Sequence, residues 1–349
     1  MPAALKTPIL FLGATGYIGG SVLARLLARP DADSLEITAL VRSEAKARKL
    51  EAFGVKTVLG SIQDTDVLEN LASQSHVVFS IADCDDVPQI EAILRGLKTR
   101  RASGDYPILI HTSGTGVFVT EAKGMYPREL VYDDTDPAQI ETLPLEAQHR
   151  PVDLRIVQAD KEGYVRTYII LPCAIYGIAS TVLTAAGVQN PYSVQIPTLI
   201  RAALARKQGG MVGRGAAVWN NVHVDDVADL YLVLYSAATA PGSTTPHGRE
   251  GFYIAENGTH AWSAVGKQVA QVLYDRGLGG SPEPTTFSAR ELVEHFGSEE
   301  TGNFLVGSNS RGVANRSRAV GWKPRYTNED MLASIAPEVE AVLKQQGSR

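Results

Sequence analysis

Along the first 112 residues, short apolar runs alternate with longer stretches whose apolar positions recur every three or four residues. That rhythm predicts a parallel sheet with helical crossovers, because a strand covered on both faces is apolar throughout while a covering helix is apolar on one stripe. Strands are expected near 8–13, 35–41, 55–59, 76–81 and 107–112, and helices near 17–29, 43–53, 64–73 and 87–102. In the first helix Ile18, Val22, Leu23, Leu26 and Leu27 share one side, and Pro30 marks its end. Right-handed crossovers make a doubly wound sheet the simplest topology.

The rhythm weakens over 113–148, which is rich in Gly, Pro and acidic residues and reads as loops beside the strand ends. A helix near 149–162 leads into a sixth strand at Val165–Leu171; helices follow near 196–208, 224–237 and 260–275, with a strand at 251–255 and a tail of short helices and loops. The expected architecture is α/β: a doubly wound parallel Rossmann sheet with a smaller, interleaved C-terminal α/β substrate domain. The dinucleotide-binding domain is expected over 1–177, rejoined by segments within 215–255, and the substrate domain over 178–214 and 256–349.

Composition narrows the class. With 349 residues, 44% hydrophobic and 20% charged, the chain is neither fibrous nor disordered, and two cysteines do not make a disulfide scaffold. Against 38 Asp and Glu stand 33 Lys and Arg, a net charge of −5 that gives no attraction to a phosphate backbone, so nucleic acid is not an expected partner. No apolar stretch approaches the roughly 20 residues needed to span a bilayer. Met1 to Thr7 precede the first apolar run, and the glycines directly after that run mark a first strand rather than a signal peptide. A cytoplasmic protein is expected, acting on a small molecule, with a homodimer as a candidate assembly and no metal site, since the histidines show no ligand spacing.

The first strand runs into Gly13-Ala14-Thr15-Gly16-Tyr17-Ile18-Gly19, which opens the first helix. Glycines let backbone approach a pyrophosphate, and the helix N-terminus offers free N–H groups and a favourable field, so Gly13, Thr15, Gly16, Tyr17, Ile18 and Gly19 are expected to hold a dinucleotide. The second strand ends in Leu40-Val41-Arg42-Ser43, with Lys46 one turn on, where an acid would hold ribose hydroxyls. The planar fork of Arg42, with Ser43 and Lys46, suits a ribose phosphate, so NADP (NADPH) is expected over NAD; an ordinary solvated arginine is the alternative. Asp64 is read equally as an adenine contact or a helix cap. Ala82, ending the fourth strand, and Thr112, ending the fifth, are placed beside the cofactor, and Ser113 is the candidate for orienting a substrate oxygen.

These segments, together with Val77-Val78-Phe79, Pro172-Cys173-Ala174-Ile175-Tyr176-Gly177, Val222-His223-Val224-Asp225-Asp226-Val227-Ala228 and Gly321-Trp322-Lys323-Pro324, resemble the extended short-chain dehydrogenase/reductase family, which includes epimerases, dehydratases and reductases. The resemblance implies an active site between the two domains, with Pro172 and Ile175 on the nicotinamide side. It also implies a tyrosine followed four residues later by lysine on the helix after the fifth strand. None of the 13 tyrosines has that lysine. The proton donor is therefore open among Tyr126, Tyr132 and His149, the last read with Asp153 on the same helical face. The leading expectation is an NADP-dependent oxidoreductase moving hydride between nicotinamide and a small organic carbonyl or alcohol. An NAD-dependent epimerase or dehydratase of a sugar-like substrate and a non-catalytic dinucleotide-binding regulator are the alternatives.

Overall fold

The computed structural model describes residues 6–347; the first five and the last two residues lie outside it. β1 (Thr7–Leu12), β2 (Leu35–Val41), β3 (Lys56–Leu59), β4 (Val77–Ser80), β5 (Ile108–Thr112), β6 (Arg166–Pro172) and β9 (Phe252–Ala255) form a seven-stranded sheet in the order β9-β6-β5-β4-β1-β2-β3. All its pairs are parallel. Ile9 to Leu12, Val77 to Phe79 and Ile108 to Ile110 are buried almost completely, as strands covered on both faces must be. The covering helices include α1 (Tyr17–Leu27), α2 (Glu44–Glu51), α3 (Thr65–Ser73), α4 (Val87–Ala102), α5 (Arg150–Lys161) and α7 (Val224–Thr239). The fold is the expected Rossmann sheet with a smaller C-terminal α/β region.

That second region is built on β7 (Ala174–Tyr176), β8 (Val218–His223) and β10 (Thr259–Ala261), with α6 (Gln195–Arg206), α8 (Trp262–Asp275) and α9 (Asn328–Gly347). β8 pairs parallel with β7 and antiparallel with β10. Of the stretch 215–255, β9 thus joins the large sheet and β8 the small one, while Val227, Leu230 and Leu234 of α7 belong to the larger core. The smaller core gathers Ile196 and Ile200, Trp219 and Trp262, Val265 and Val269, and Met331, Ile335 and Val339. The tail holds the short helices expected there, Ala289–Phe296, Glu299–Val306 and Asn315–Ala319, and then the 20-residue α9, whose stripe continues past Pro337 through Met331, Ile335, Val339 and Val342. Within 113–148 the chain forms the short helix Pro137–Glu141 and a parallel bridge of Tyr132–Asp133 with Gly312–Val313 instead of loops alone. Among the described residues no helix is long and apolar enough to cross a membrane.

Two buried carboxyls tie the late chain to the sheet. Asp134 accepts from the backbone N–H groups of Arg316 (2.6 Å), Ile254 (3.1 Å) and Ser317 (3.2 Å), while Arg316 Nε donates to the Asp134 carbonyl at 2.8 Å. Burial outweighs those bonds and pushes its carboxyl up to about 6. Glu338 of α9 accepts from the Gly177 N–H at 3.1 Å; its other oxygen is buried without a partner, and burial pushes it to about 7.

Replacing Asp134 with Ala strands its three N–H donors, and unfolding in urea is expected to show a loss of about 3 kcal/mol. A change below about 1 kcal/mol would mean that water replaces the carboxylate there. Glu338 holds its proton in the folded chain to about 7, above the usual carboxyl range near 4. Its contribution is full below the unfolded value and is lost as pH rises through the folded one. Glu338→Gln should therefore flatten stability against pH between about 4 and about 7 and raise Tm above neutrality; an unaltered slope would contradict this.

Candidate active site

β1 is followed by β2 on one side in the sheet and flanked by β4 on the other, so the crossovers diverge at its C-terminal end and leave a crevice there. Gly13 has φ +89°, and a Cβ there would strike the Ile81 carbonyl; a Cβ on Gly19 would strike the Gly13 carbonyl. Gly16 caps α1 without a side chain, so the first turn faces the crevice bare. Two cavities follow the strand ends. One of about 350 Å³ is lined by Gly13 to Thr15, Leu40 to Arg42, Gly60, Ile62, Gln63, Ala82 and Asp83. The other, about 380 Å³, lies between Gly16 to Gly19, Ile81, Cys173 and Ile175 on one side and Asn190 and Tyr192 to Gln195 on the other. The second wall, held by the Asn190 N–H donating to the Thr15 carbonyl at 3.0 Å, had no motif to announce it.

Most of the residues expected at the cofactor line these cavities; several do other work. Ser43 caps α2 by accepting from the Lys46 N–H at 3.4 Å, and neither residue lines a cavity. Asp64 closes its own turn by accepting from the Ser61 N–H at 2.8 Å. Thr112 Oγ1 is 2.6 Å from the Tyr231 hydroxyl, tied to α7. Tyr17 donates to the Tyr176 and Gly177 carbonyls at 3.0 and 2.5 Å, bracing α1 against β7. Pro172 pairs in register with Ala255 and stands behind Cys173 and Ile175.

At the end of β5, Ser113 Oγ donates to Asp153 Oδ2 of α5 at 3.0 Å. His149 precedes α5 with φ +68°, a backbone that side chains rarely adopt. Asp85 Oδ1 holds it there, accepting from the His149 N–H at 3.0 Å and lying 2.8 Å from the ring Nδ1; Cys84 Sγ is 3.3 Å from the same nitrogen. A carboxylate at Nδ1 places the ring proton there and leaves Nε2 as the lone pair. Nε2 has no partner among the described residues, and it lies over bare backbone: Cβ atoms on Gly114 and Gly116 would come within 3.2 and 2.9 Å of it. Asp153 is wholly buried, and burial, opposed by the Ser113 bond and Arg150, pushes its carboxyl to about 7. Burial and Asp85 push the Cys84 thiol up to about 12, so it is a thiol and not a thiolate.

The expected pairing of His149 with Asp153 is thus not made. His149 stands outside the helix in a left-handed conformation, so helical spacing does not apply to it, and Asp85 and Ser113 take the two partners. Tyr126 is exposed and donates to the Glu121 carbonyl at 3.2 Å, while Tyr132 stacks on Phe118 with centroids 4.4 Å apart; nothing ties either phenol to Ser113. Asp85 and Cys84 were missed, although the acidic run Asp83-Cys84-Asp85-Asp86 after β4 signals a charged strand end. Cys84, Asp85 and His149 offer ligand atoms within 4.8 Å of one another, a convergence that their hydrogen bonds already account for.

The NmrA-like family model matches residues 5–95. The oxidase ucsJ of Acremonium sp is 28% identical over 361 residues, covering 98% of each chain. A ketoreductase of 4-hydroxy-2-methyl-3-oxo-4-farnesyl-3,4-dihydroquinoline-1-oxide from Stigmatella aurantiaca is 24% identical over 66% of this chain and 64% of its own. Among solved structures, UDP-glucose 4-epimerase of Thermotoga maritima with UDP-glucose superposes with a TM-score of 0.65 at 15% identity, over 97% of this chain and all of that one. At such identity the likeness establishes the fold, that of the extended short-chain and epimerase/dehydratase proteins. Other solved proteins of this fold, a dTDP-glucose 4,6-dehydratase and a UDP-glucose 4-epimerase among them, hold NAD. That finding overturns the expectation of NADP. The physical reason is in the cavity: of Arg42, Ser43 and Lys46 only Arg42 reaches it, so no phosphate cluster assembles.

Gly19→Ala drives a methyl into the Gly13 carbonyl and opens the turn over the crevice. Titration calorimetry with NAD is expected to show at least roughly tenfold weaker binding while far-UV circular dichroism is retained. Unchanged affinity would remove the glycine turn from the dinucleotide site.

Proposed function

We propose that the protein binds NAD along the strand-end crevice and transfers hydride at an alcohol or carbonyl carbon of a small organic substrate, with His149 as the proton donor and acceptor. The observation that carries this reading is the fixed ring of His149, with Nδ1 held by Asp85 and Nε2 free over Gly114 and Gly116. His149 opens the helix after the fifth strand, the region in which the resemblance calls for a tyrosine. Bound NAD would supply a hydride acceptor, or in reduced form a donor, next to Ile81, Cys173 and Ile175. In the oxidative direction His149 Nε2 takes the hydroxyl proton as the C–H pair leaves, and the Asp85 carboxylate balances the imidazolium. In the reverse direction Nε2 returns the proton to the new alkoxide. Ser113 fixes the substrate oxygen. None of the residues lining the cavity of about 380 Å³ is charged, which suits an uncharged substrate. The division into a dinucleotide domain and an interleaved substrate domain is part of the same reading.

A second form of the chemistry, in which NAD is retained and the hydride returns to the same substrate molecule, gives an epimerase or dehydratase. The names of the solved neighbours favour it over the net reductase of the leading expectation. The names oxidase and ketoreductase support net transfer.

The two forms separate on incubating the protein with NAD and a panel of ketones, secondary alcohols and UDP- and dTDP-sugars. Net transfer accumulates NADH absorbance in proportion to substrate, whereas a returned hydride gives changed product by NMR without it. His149→Asn is expected to lower kcat about 100-fold or more with NAD affinity kept, and Asp85→Asn about tenfold or more. A His149→Asn protein with full kcat would sink the assignment.

A further inference from the structure

Proton transfer at His149 makes no use of the second acid beside it. Asp153 is wholly buried on α5, and among the described residues the one hydrogen bond to its carboxyl runs from the Ser113 hydroxyl to Oδ2 at 3.0 Å. Its other oxygen, Oδ1, is buried without a partner, as is Nε of Arg150 three residues earlier. A buried carboxylate with one hydrogen bond is a poor resting place for a full charge. The groups that face it divide. Arg150 on its own helix and the Ser113 hydroxyl from β5 favour the ionised form, whereas burial and Asp85, from the loop after β4, oppose it; the Cys84 thiol stands in that same loop. Ser113 has a fixed place, since its N–H donates to the Ile170 carbonyl at 2.8 Å, so the hydroxyl proton is the part of it that is free to turn.

We infer that Asp153 is a positioning residue that sets the direction of the Ser113 hydroxyl: ionised, it draws the Ser113 proton inward and leaves a lone pair for the substrate oxygen; protonated, it donates to Ser113 and turns that proton outward. This inference rests on the proposed hydride-transfer reading. An alcohol whose one proton points to His149 presents only lone pairs to Ser113, so it fits the second state, in which Ser113 donates to its oxygen and to the alkoxide that forms there. A carbonyl oxygen has only lone pairs and fits the same state, in which Ser113 donates to it. The pair gains or loses one proton with solvent between the two states, and neither gains nor loses one in the hydride-transfer step. A carboxyl raised toward neutrality by burial makes both states accessible under ordinary conditions.

Carboxyl carbon-13 NMR of the whole protein with NAD bound reads Asp153 without any turnover. The expected midpoint is about 7, and Ser113→Ala, which removes the donor favouring the ionised form, should move it upward. Kinetically, the KM for a carbonyl substrate should rise roughly tenfold from about pH 6 to about pH 8, and that for its alcohol should rise with it. Asp153→Asn presents either an N–H or a carbonyl to Ser113 by rotating its amide, so the KM profile should become flat over this range while Tm and NAD affinity stay near the parent values. An Asp153 that remains ionised across this range, a midpoint indifferent to Ser113→Ala, or an Asp153→Asn KM that still rises with pH each overturns the inference. A protein that shows the expected titration and its Ser113→Ala shift but turns over nothing on the panel loses the proposed function, while the Ser113–Asp153 pairing stands.

Discussion

The turn after β1 has no room for a Cβ at two positions, Gly13 against the Ile81 carbonyl and Gly19 against the Gly13 carbonyl, and much else follows from that contact. It brings the start of α1 against the end of β4, so the bare first turn of the helix opens onto the crevice. It also fixes where the chain after β4 begins, because Ile81 is the residue being touched. The loop that follows carries Asp83, Cys84 and Asp85, and Asp85 reaches His149 from there. The glycine crevice and the ring of His149 are thus positioned from one close approach of backbone to backbone.

His149 shows how an unfavourable conformation persists. A left-handed backbone at a residue with a Cβ costs about 1 kcal/mol or more and survives only when its surroundings over-determine it. Here one carboxylate oxygen takes both the His149 N–H and the ring Nδ1, and Gly114 and Gly116 clear the space that the ring occupies. The same conformation removes His149 from the helical register. A residue four positions from Asp153 in sequence therefore turns to Asp85, leaving Asp153 to the Ser113 hydroxyl.

The sheet was legible because its strands are buried on both faces and so are written as continuous apolar runs, and the glycine turn because its close approach excludes every other residue type. Boundaries held closely: β2 lies where expected at both ends, and α1 stops two residues short of 29. What stayed hidden was set by contacts between distant segments. Asp134 looks like one more acid in a polar loop, and only the N–H groups of Ile254, Arg316 and Ser317 explain it. Ser43 and Lys46 stand where a phosphate cluster would need them, yet the start of α2 uses Ser43 as its cap. Tyr126 and Tyr132 were candidates on chemistry alone, and one ended at the surface and the other in a stack with Phe118.

The missing tyrosine–lysine pair and the acidic run after β4 are two sides of one electrostatic argument. A phenol with a reference value near 10 acts as a base near neutrality only if a cation lowers it, which is why a lysine accompanies such a tyrosine. An imidazole, with a reference value near 6.5, needs no such help, and a neighbouring cation would hinder its protonation. The partner suited to it is an anion that fixes its tautomer and balances the charge it acquires. Around His149 the chain supplies Asp85 in hydrogen-bond contact and Asp153 at the start of α5, and among the described residues no lysine is hydrogen-bonded to the ring. On the proposed reading, a change of acid from phenol to imidazole carries with it a reversal in the sign of the charge that accompanies it.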